Sequence, residues 1–351
     1  MQRVFLSGLA AAALLGTASV IMLGPGWALE ARMSDATAFV PVCEPRTKVG
    51  TLKVELRHAL PHPKPVQAVA FSPDSSVLAT GAGDGVMRLW KTGDGTVGRV
   101  CTGHGDTIHA IAFSPDGTRI LTASWDGTAR LWESASGRNL LILRGHGDKV
   151  EHGAFSADGR LLLTASWDRT ARVWDGVTGK LIRALEGHED SVESVSASAD
   201  GKYILTGSRD KTARLWDAAT GTCVRTIREH REIVSSAVFA SAGTRFVTTG
   251  WDGMARVWDT ASADPVQTFR VHASTVWSVV FSPDGRKILT SGGHDRTAKI
   301  WDGFSGDLLA VLPEQPGTID QVAYAPNGML IAVAGEDKIA TVWGVTATGA
   351  F

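Results

Sequence analysis

The chain has 351 residues, a formal net charge of −1 and 44% apolar residues. A charge this close to zero excludes broad electrostatic attraction to nucleic acid or to an anionic membrane, and the apolar content excludes a chain that is disordered throughout. The three cysteines, Cys43, Cys101 and Cys223, allow at most one disulfide and fit no zinc or redox spacing, so the fold does not rest on a disulfide framework.

In chain order, the first element does not belong to a packed domain. Arg3 supplies a positive start, Val4 to Leu23 is almost wholly apolar, and Gly24, Pro25 and Gly26 break the run. Gly26 and Ala28 place small residues at the −3 and −1 positions of a cleavage site, which is the layout of a secretory signal peptide. A run of about 20 apolar residues is also long enough to cross a bilayer. The competing reading is therefore an uncleaved anchor over residues 4–23 in the inner membrane, with Arg3 on the cytoplasmic side. Both readings place the rest of the chain outside the cytoplasm, as a periplasmic or secreted protein. Residues 1–28 are read as the export segment, 29–46 as a linker, 47–346 as the folded domain and 347–351 as a C-terminal tail.

From residue 47 onward the chain repeats. Trp recurs at 90, 132, 174, 216, 258, 301 and 343, at intervals of 42 or 43, and Asp stands six residues before each of them. A histidine recurs as well, read as His58, His104, His146, His188, His230 and His272, with Gln315 where a seventh is due. Within the period from Gly103 to Leu143, Thr107 to Phe113 alternates apolar and polar residues as a half-buried strand does. Ser114-Pro115-Asp116-Gly117 is turn chemistry, Arg119 to Ser124 is a second strand, and Asp126-Gly127 makes the next tight turn. Thr128 to Trp132 and Leu140 to Leu143 complete four antiparallel strands, one blade of an all-β, seven-bladed propeller. Thr51 to Leu56 precedes the first period as Leu181 to Leu185 precedes His188, so an N-terminal strand is expected to complete the last blade and close the ring.

The phrases GHGDTIHAIAFSPDGTRILTASWDGTARLWE and GHEDSVESVSASADGKYILTGSRDKTARLWD resemble the WD40 repeat, over about residues 47–346. The resemblance implies a hydrogen-bonded tetrad in each blade, made of the loop His, a Ser or Thr on the second strand, the turn Asp and the third-strand Trp. For the second to sixth blades it implies His104, Thr122, Asp126 and Trp132; His146, Thr164, Asp168 and Trp174; His188, Thr206, Asp210 and Trp216; His230, Thr248, Asp252 and Trp258; and His272, Thr290, Asp295 and Trp301. For the first blade it implies His58, Thr80, Asp84 and Trp90, with four extra residues after His58 in the stretch Pro61 to Pro65. The seventh blade has Gln315 and Val333 in place of His and Thr, so its tetrad is broken. His/Thr/Asp sets present in so many copies are architecture rather than catalytic triads.

Residues that vary at one fixed repeat position are the candidates for specificity. The resemblance places these on the face that carries the His loops and the Asp turns. Before the turn Asp stand Gly83, Trp125, Trp167, Arg209, Trp251, His294 and Glu336; the extra residue at Gly292-Gly293 is expected to push His294 outward. Five places after the loop His stand His109, Glu151, Glu193, Ser235 and Trp277, with Gln67 and Asp320 in the end blades; three places after it stands Lys149, among others. Trp125, Trp167, Arg209, Trp251, Trp277, His294, His109, Glu151, Glu193 and Glu336 are read as a partner-binding face, because Trp and Arg are typical anchors of protein and peptide interfaces. His62 and His152 stand alone and read as surface or packing residues. His109 and His294 lack a Cys or carboxylate at ligand spacing, so no metal is expected, and no nucleotide or calcium fingerprint is present.

The expectation is a non-catalytic, monomeric scaffold that binds a protein or peptide and needs no cofactor. The alternatives are a carbohydrate or cell-wall binder resting on the Trp residues, and an enzyme or small-ligand site at the central channel. The sequence shows no paired carboxylates and no activated Ser or His at the channel mouth.

Overall fold

The structure, a computed structural model, describes residues 52–348. The export segment over 1–28, the linker over 29–46 and most of the tail over 347–351 lie outside the described residues. Strands of about six residues separated by Asp-, Ser- and Gly-containing turns leave the chain little choice but successive hairpins. The described residues form 28 strands, β1 to β28 in chain order, arranged as seven four-stranded antiparallel sheets with no helix. The second blade is representative: β6 (Ile108–Phe113), β7 (Arg119–Ser124), β8 (Ala129–Glu133) and β9 (Asn139–Leu143) pair in sequence order. Their limits agree to within one residue with those read from the sequence.

The innermost strand of each blade packs on that of the next, and the seventh contacts the first, so the sheets form a closed ring. The last blade joins both ends of the chain. β1 (Leu52–Pro61) pairs antiparallel with β28 (Ile339–Ala347), outside β26 (Ile319–Tyr324) and β27 (Leu330–Gly335). The closing strand is therefore where the sequence placed it, and it runs on to Pro61.

Facing sheets bury their apolar side chains between blades. In one such layer Leu121, Leu131 and Leu143 of the second blade meet Val150, Leu162 and Trp174 of the third, all nearly or fully buried. Seven layers of this kind replace the single core of a compact domain.

Burying the top of these layers also buries polar atoms, which must be paired. In the second blade the Trp132 indole Nε1–H donates to Thr122 Oγ1 at 2.8 Å, and Thr122 Oγ1 lies 2.7 Å from His104 Nε2. His104 Nδ1 lies 2.8 Å from Asp126 Oδ2. An ionised carboxylate only accepts, so Nδ1 carries the proton and Nε2 accepts from the threonine hydroxyl. Asp126 also accepts from the backbone N–H of Gly105 at 3.0 Å and of Thr128 at 2.9 Å. Burial alone raises this carboxyl, but the bonds from His104 and Thr128 outweigh it and hold it far below the usual carboxylate range. The third, fourth and sixth blades repeat the relay through His146, His188 and His272. In the fifth, Trp258, Thr248 and His230 are linked in the same way, but Arg256 Nη1 comes between, 2.7 Å from His230 Nδ1 and donating to Asp252 Oδ2 at 3.0 Å.

The first blade corrects the sequence reading. His62, not His58, occupies the loop position: its Nε2 lies 2.7 Å from Thr80 Oγ1, which accepts from Trp90 Nε1 at 2.9 Å. His62 stands 42 residues before His104, so the period is regular and the supposed four-residue insertion disappears. His58 sits within β1 and its Nε2 reaches Thr92 O at 3.0 Å. The relay of this blade is incomplete. His62 Nδ1 donates to Leu60 O at 2.8 Å, while Asp84 is held by Arg88 Nη2 at 2.6 Å. In the seventh blade Val333 is buried where a threonine stands elsewhere, and the Trp343 indole donates to Thr341 Oγ1 at 2.8 Å instead.

Replacing Thr122 with the isosteric valine leaves the Trp132 N–H and His104 Nε2 unpaired inside the blade. We predict a loss of about 1–3 kcal/mol in urea denaturation, against almost no change for Thr102→Val in an exposed loop.

Candidate functional site

One irregularity recurs in all seven blades and positions the site. In each innermost strand the register skips a residue against the second strand. Ile108 opposes Ser124 and Ala110 opposes Ala123, so His109 is the extra residue of a β-bulge. The same skip isolates Gln67, Glu151, Glu193, Ser235, Trp277 and Asp320. A bulge removes a residue from the ladder and re-aims its side chain. Here all seven side chains line one cavity of about 370 Å³ at the mouth of the central channel.

The cavity collects nine of the ten residues read as the partner-binding face: His109, Glu151, Glu193, Trp125, Trp167, Arg209, Trp277, His294 and Glu336. The tenth, Trp251, stands behind them with its ring 5.2 Å from that of Trp277, edge to face. The four Trp residues are half-buried, neither free on the surface nor sealed within the core. His294 is exposed, as expected for an inserted residue. It is Gly293, however, that takes the turn position: its N–H donates to Thr275 O at 3.0 Å, as that of Trp125 donates to Thr107 O. A Cβ on Gly293 would fall 2.3 Å from Trp277 Nε1, so the glycine makes room for the indole that enters from the neighbouring strand.

The cavity has two unlike halves. On the side of the second to fourth blades the groups satisfy one another. His109 stacks on Trp125 with centroids 5.2 Å apart, and the Trp125 and Trp167 rings lie 5.8 Å apart. Lys149 Nζ sits 3.9 Å from the Trp125 centroid and 4.4 Å from that of Trp167, and the Arg209 guanidinium lies 4.3 Å from Trp167. The Trp125 N–H donates to Glu151 Oε2 at 2.9 Å, and Arg209 Nε donates to Glu193 Oε1 at 2.6 Å. His109 Nδ1 approaches Glu151 Oε1 at 3.1 Å. Burial pushes His109 down to about 4 and Glu151 up to about 7, so this contact joins two groups driven toward their neutral forms rather than an ion pair. Glu193 is likewise raised to about 7, by burial and then by the charge of Glu151.

Two further expectations are corrected here. Glu151 and Glu193 are neighbouring buried acids at the channel mouth, a pairing the sequence reading did not find. They stand 42 residues apart in the chain, and equivalent bulges on adjacent blades bring them together. His152 is neither isolated nor at the surface. It lines the cavity just beyond the Glu151 bulge, its Nδ1 lacks a hydrogen bond, and burial lowers it to about 4. Its position directly after the variable place five residues beyond the loop His was the available signal. Among the described residues no group of three or more His, Cys, Asp or Glu has metal-holding geometry. Cys101 is a buried free thiol and Cys223 an exposed one; Cys43 lies outside the described residues.

This architecture defines a class: a closed seven-bladed propeller pinned by Trp-Thr-His-Asp relays, with a polar and aromatic cavity at one mouth of its channel. The family model for the WD domain, G-beta repeat matches residues 54–91, 95–133, 137–175, 179–217, 221–259, 263–302 and 306–344, and the chain belongs to the WD40 repeat family. Each match starts on or just before the outer strand of one blade and ends on the third strand of the next, so every repeat straddles two blades. No curated protein matches the chain. WD40 propellers are typically protein-interaction scaffolds, generally without catalysis.

The acids of the cavity make a signed prediction. Glu151 ionises near 7 in the folded protein and near 4.5 in the unfolded chain. The folded state therefore binds more protons between these values, and the associated stability is present below about pH 4.5 and lost as pH rises through about 7. Glu151→Gln keeps an acceptor for the Trp125 N–H and removes the titration. Its melting temperature relative to the wild type is expected to climb from about pH 5 and to level off above about pH 7; a constant offset would count against this assignment.

Proposed function

We propose that this protein is an exported, non-catalytic platform that binds a protein or peptide at the mouth of its central channel. The observation that carries this reading is the cluster of half-buried indoles, Trp125, Trp167 and Trp277 at the cavity and Trp251 behind Trp277, with Arg209 among them. Trp with Arg beside it is the composition of interface anchors rather than of a solvated face.

Catalysis is not part of this proposal. Glu151 is held by Trp125 and His109, Glu193 is held by Arg209, and among the described residues no nucleophile is paired with a base beside them. Nor is the carbohydrate reading preferred, because His109, Lys149 and Arg209 already lie against Trp125 and Trp167, where a sugar ring would stack. Export rests on the sequence of residues 1–28, by cleavage after Ala28 or by retention of residues 4–23 as an inner-membrane anchor.

The combined variant Trp125→Ala, Trp167→Ala and Trp251→Ala is expected to lose the proteins that the wild type recovers by crosslinking and pull-down from the envelope of its host. Unchanged recovery from a folded variant would move the binding surface elsewhere, and a wild-type melting temperature raised by sugars alone would favour the carbohydrate alternative. Separately, N-terminal sequencing of the protein from the periplasmic or secreted fraction is expected to begin at Leu29. An intact start in the membrane fraction selects the anchor, and a soluble cytoplasmic chain refutes export.

A further inference from the structure

The two halves of the cavity differ in one respect that points to a ligand. On the side of the second to fourth blades, indole faces and carboxylates are supplied with cations by the protein itself, through Lys149 and Arg209. On the opposite side Trp277, Asp320 and Glu336 present the same chemistry, an aromatic ring beside carboxylates, at the same cavity. Among the described residues no Lys or Arg lies over Trp277 or Trp251, and none pairs with Asp320 or Glu336. Asp320 Oδ2 is buried without a hydrogen bond, and so is Gln67 Oε1 on the adjoining first blade.

An unpaired buried carboxylate is costly to a fold. The charges around Asp320 make its position worse: burial, then Glu336, Glu151 and Asp337, push it up to about 7. Nothing in blade packing requires an acid there, since the equivalent bulge carries Ser235 in the fifth blade and Gln67 in the first. A destabilised acid next to orphan acceptors and an aromatic ring is an arrangement that a positive group relieves, through charge-assisted hydrogen bonds and a cation–π contact.

We infer that the half of the channel mouth formed by Trp277, Asp320 and Glu336 is a socket for a cationic side chain, lysine or arginine, of the partner peptide. This inference rests on the platform reading and specifies its chemistry. Arg209 shows within the same cavity how such a side chain sits: over the Trp167 indole, with the Glu193 carboxylate within reach. Gly293 belongs to the socket as the residue that admits the Trp277 ring.

The test uses the full chain and three blocked tripeptides, acetyl-Gly-Arg-Gly-amide and its lysine and norleucine counterparts, titrated by ligand-observed NMR. The arginine or the lysine peptide is expected to bind, and the norleucine peptide to bind at least about tenfold more weakly. Asp320→Asn is expected to weaken the cationic peptide by a similar factor while raising the melting temperature, so loss of binding in that variant is not loss of fold. Norleucine binding as well as arginine and lysine, or Asp320→Asn binding like the wild type, overturns the socket. The two readings fail separately. Envelope partners lost in the triple Trp variant but kept by Asp320→Asn leave the platform standing and reject the socket. Cationic peptides bound by the wild type and lost in Asp320→Asn, with envelope partners unchanged in the triple Trp variant, support the socket and move the main surface elsewhere.

Discussion

The propeller depends on a single requirement: every polar atom drawn into the layers between blades must find a partner there. Strands of five or six residues bring turn groups close to the core, and the indole that fills each blade carries its own N–H inward. The one-way relay from Trp through Thr and His to Asp meets the requirement with four side chains per blade. It also ends on a carboxylate that receives backbone N–H groups of the His loop and of its own turn, so the same relay locks two loops in place. Buried polar networks stabilise when every member is satisfied, and the second to sixth blades satisfy theirs.

The two end blades relax this rule in different ways. In the first, the histidine turns to a backbone carbonyl and the aspartate to an arginine. In the seventh, valine replaces the threonine and the indole finds another hydroxyl. These two blades meet beside the closing strand, where the ends of the chain already supply packing through β1 and β28. Ring closure thus takes over part of the role that the relay has elsewhere.

Seven bulges at equivalent positions turn this regular scaffold into an irregular site. Each blade offers one side chain to the channel mouth, and nothing in the ring constrains its chemistry, so Gln, His, Glu, Glu, Ser, Trp and Asp follow one another around the cavity. Three of these are acids that burial pushes toward neutrality, which is costly for a fold and characteristic of places where proteins meet ligands. The scaffold role that WD40 propellers typically fill is consistent with a rigid ring whose variable positions converge on one mouth.

Strand number, blade number, the closing strand and the relays of the second to sixth blades were all legible in the chain. They rest on a period of 42 or 43 residues and on local turn chemistry, both of which are properties of neighbouring residues. The first blade was misread by following a nearby histidine instead of the interval, although His62 satisfies that interval. The positions of the channel-mouth side chains were legible too, as sites of variation at fixed repeat phase. Their environment was not. That Glu151 adjoins Glu193, that Lys149 lies over two indoles, that Gly293 rather than a side chain accommodates Trp277, and that Asp320 has no counter-charge are relations between blades. Only the closed ring sets them, because it brings side chains some 42 residues apart into one low-dielectric cavity, where proximity and burial decide their charge and partners.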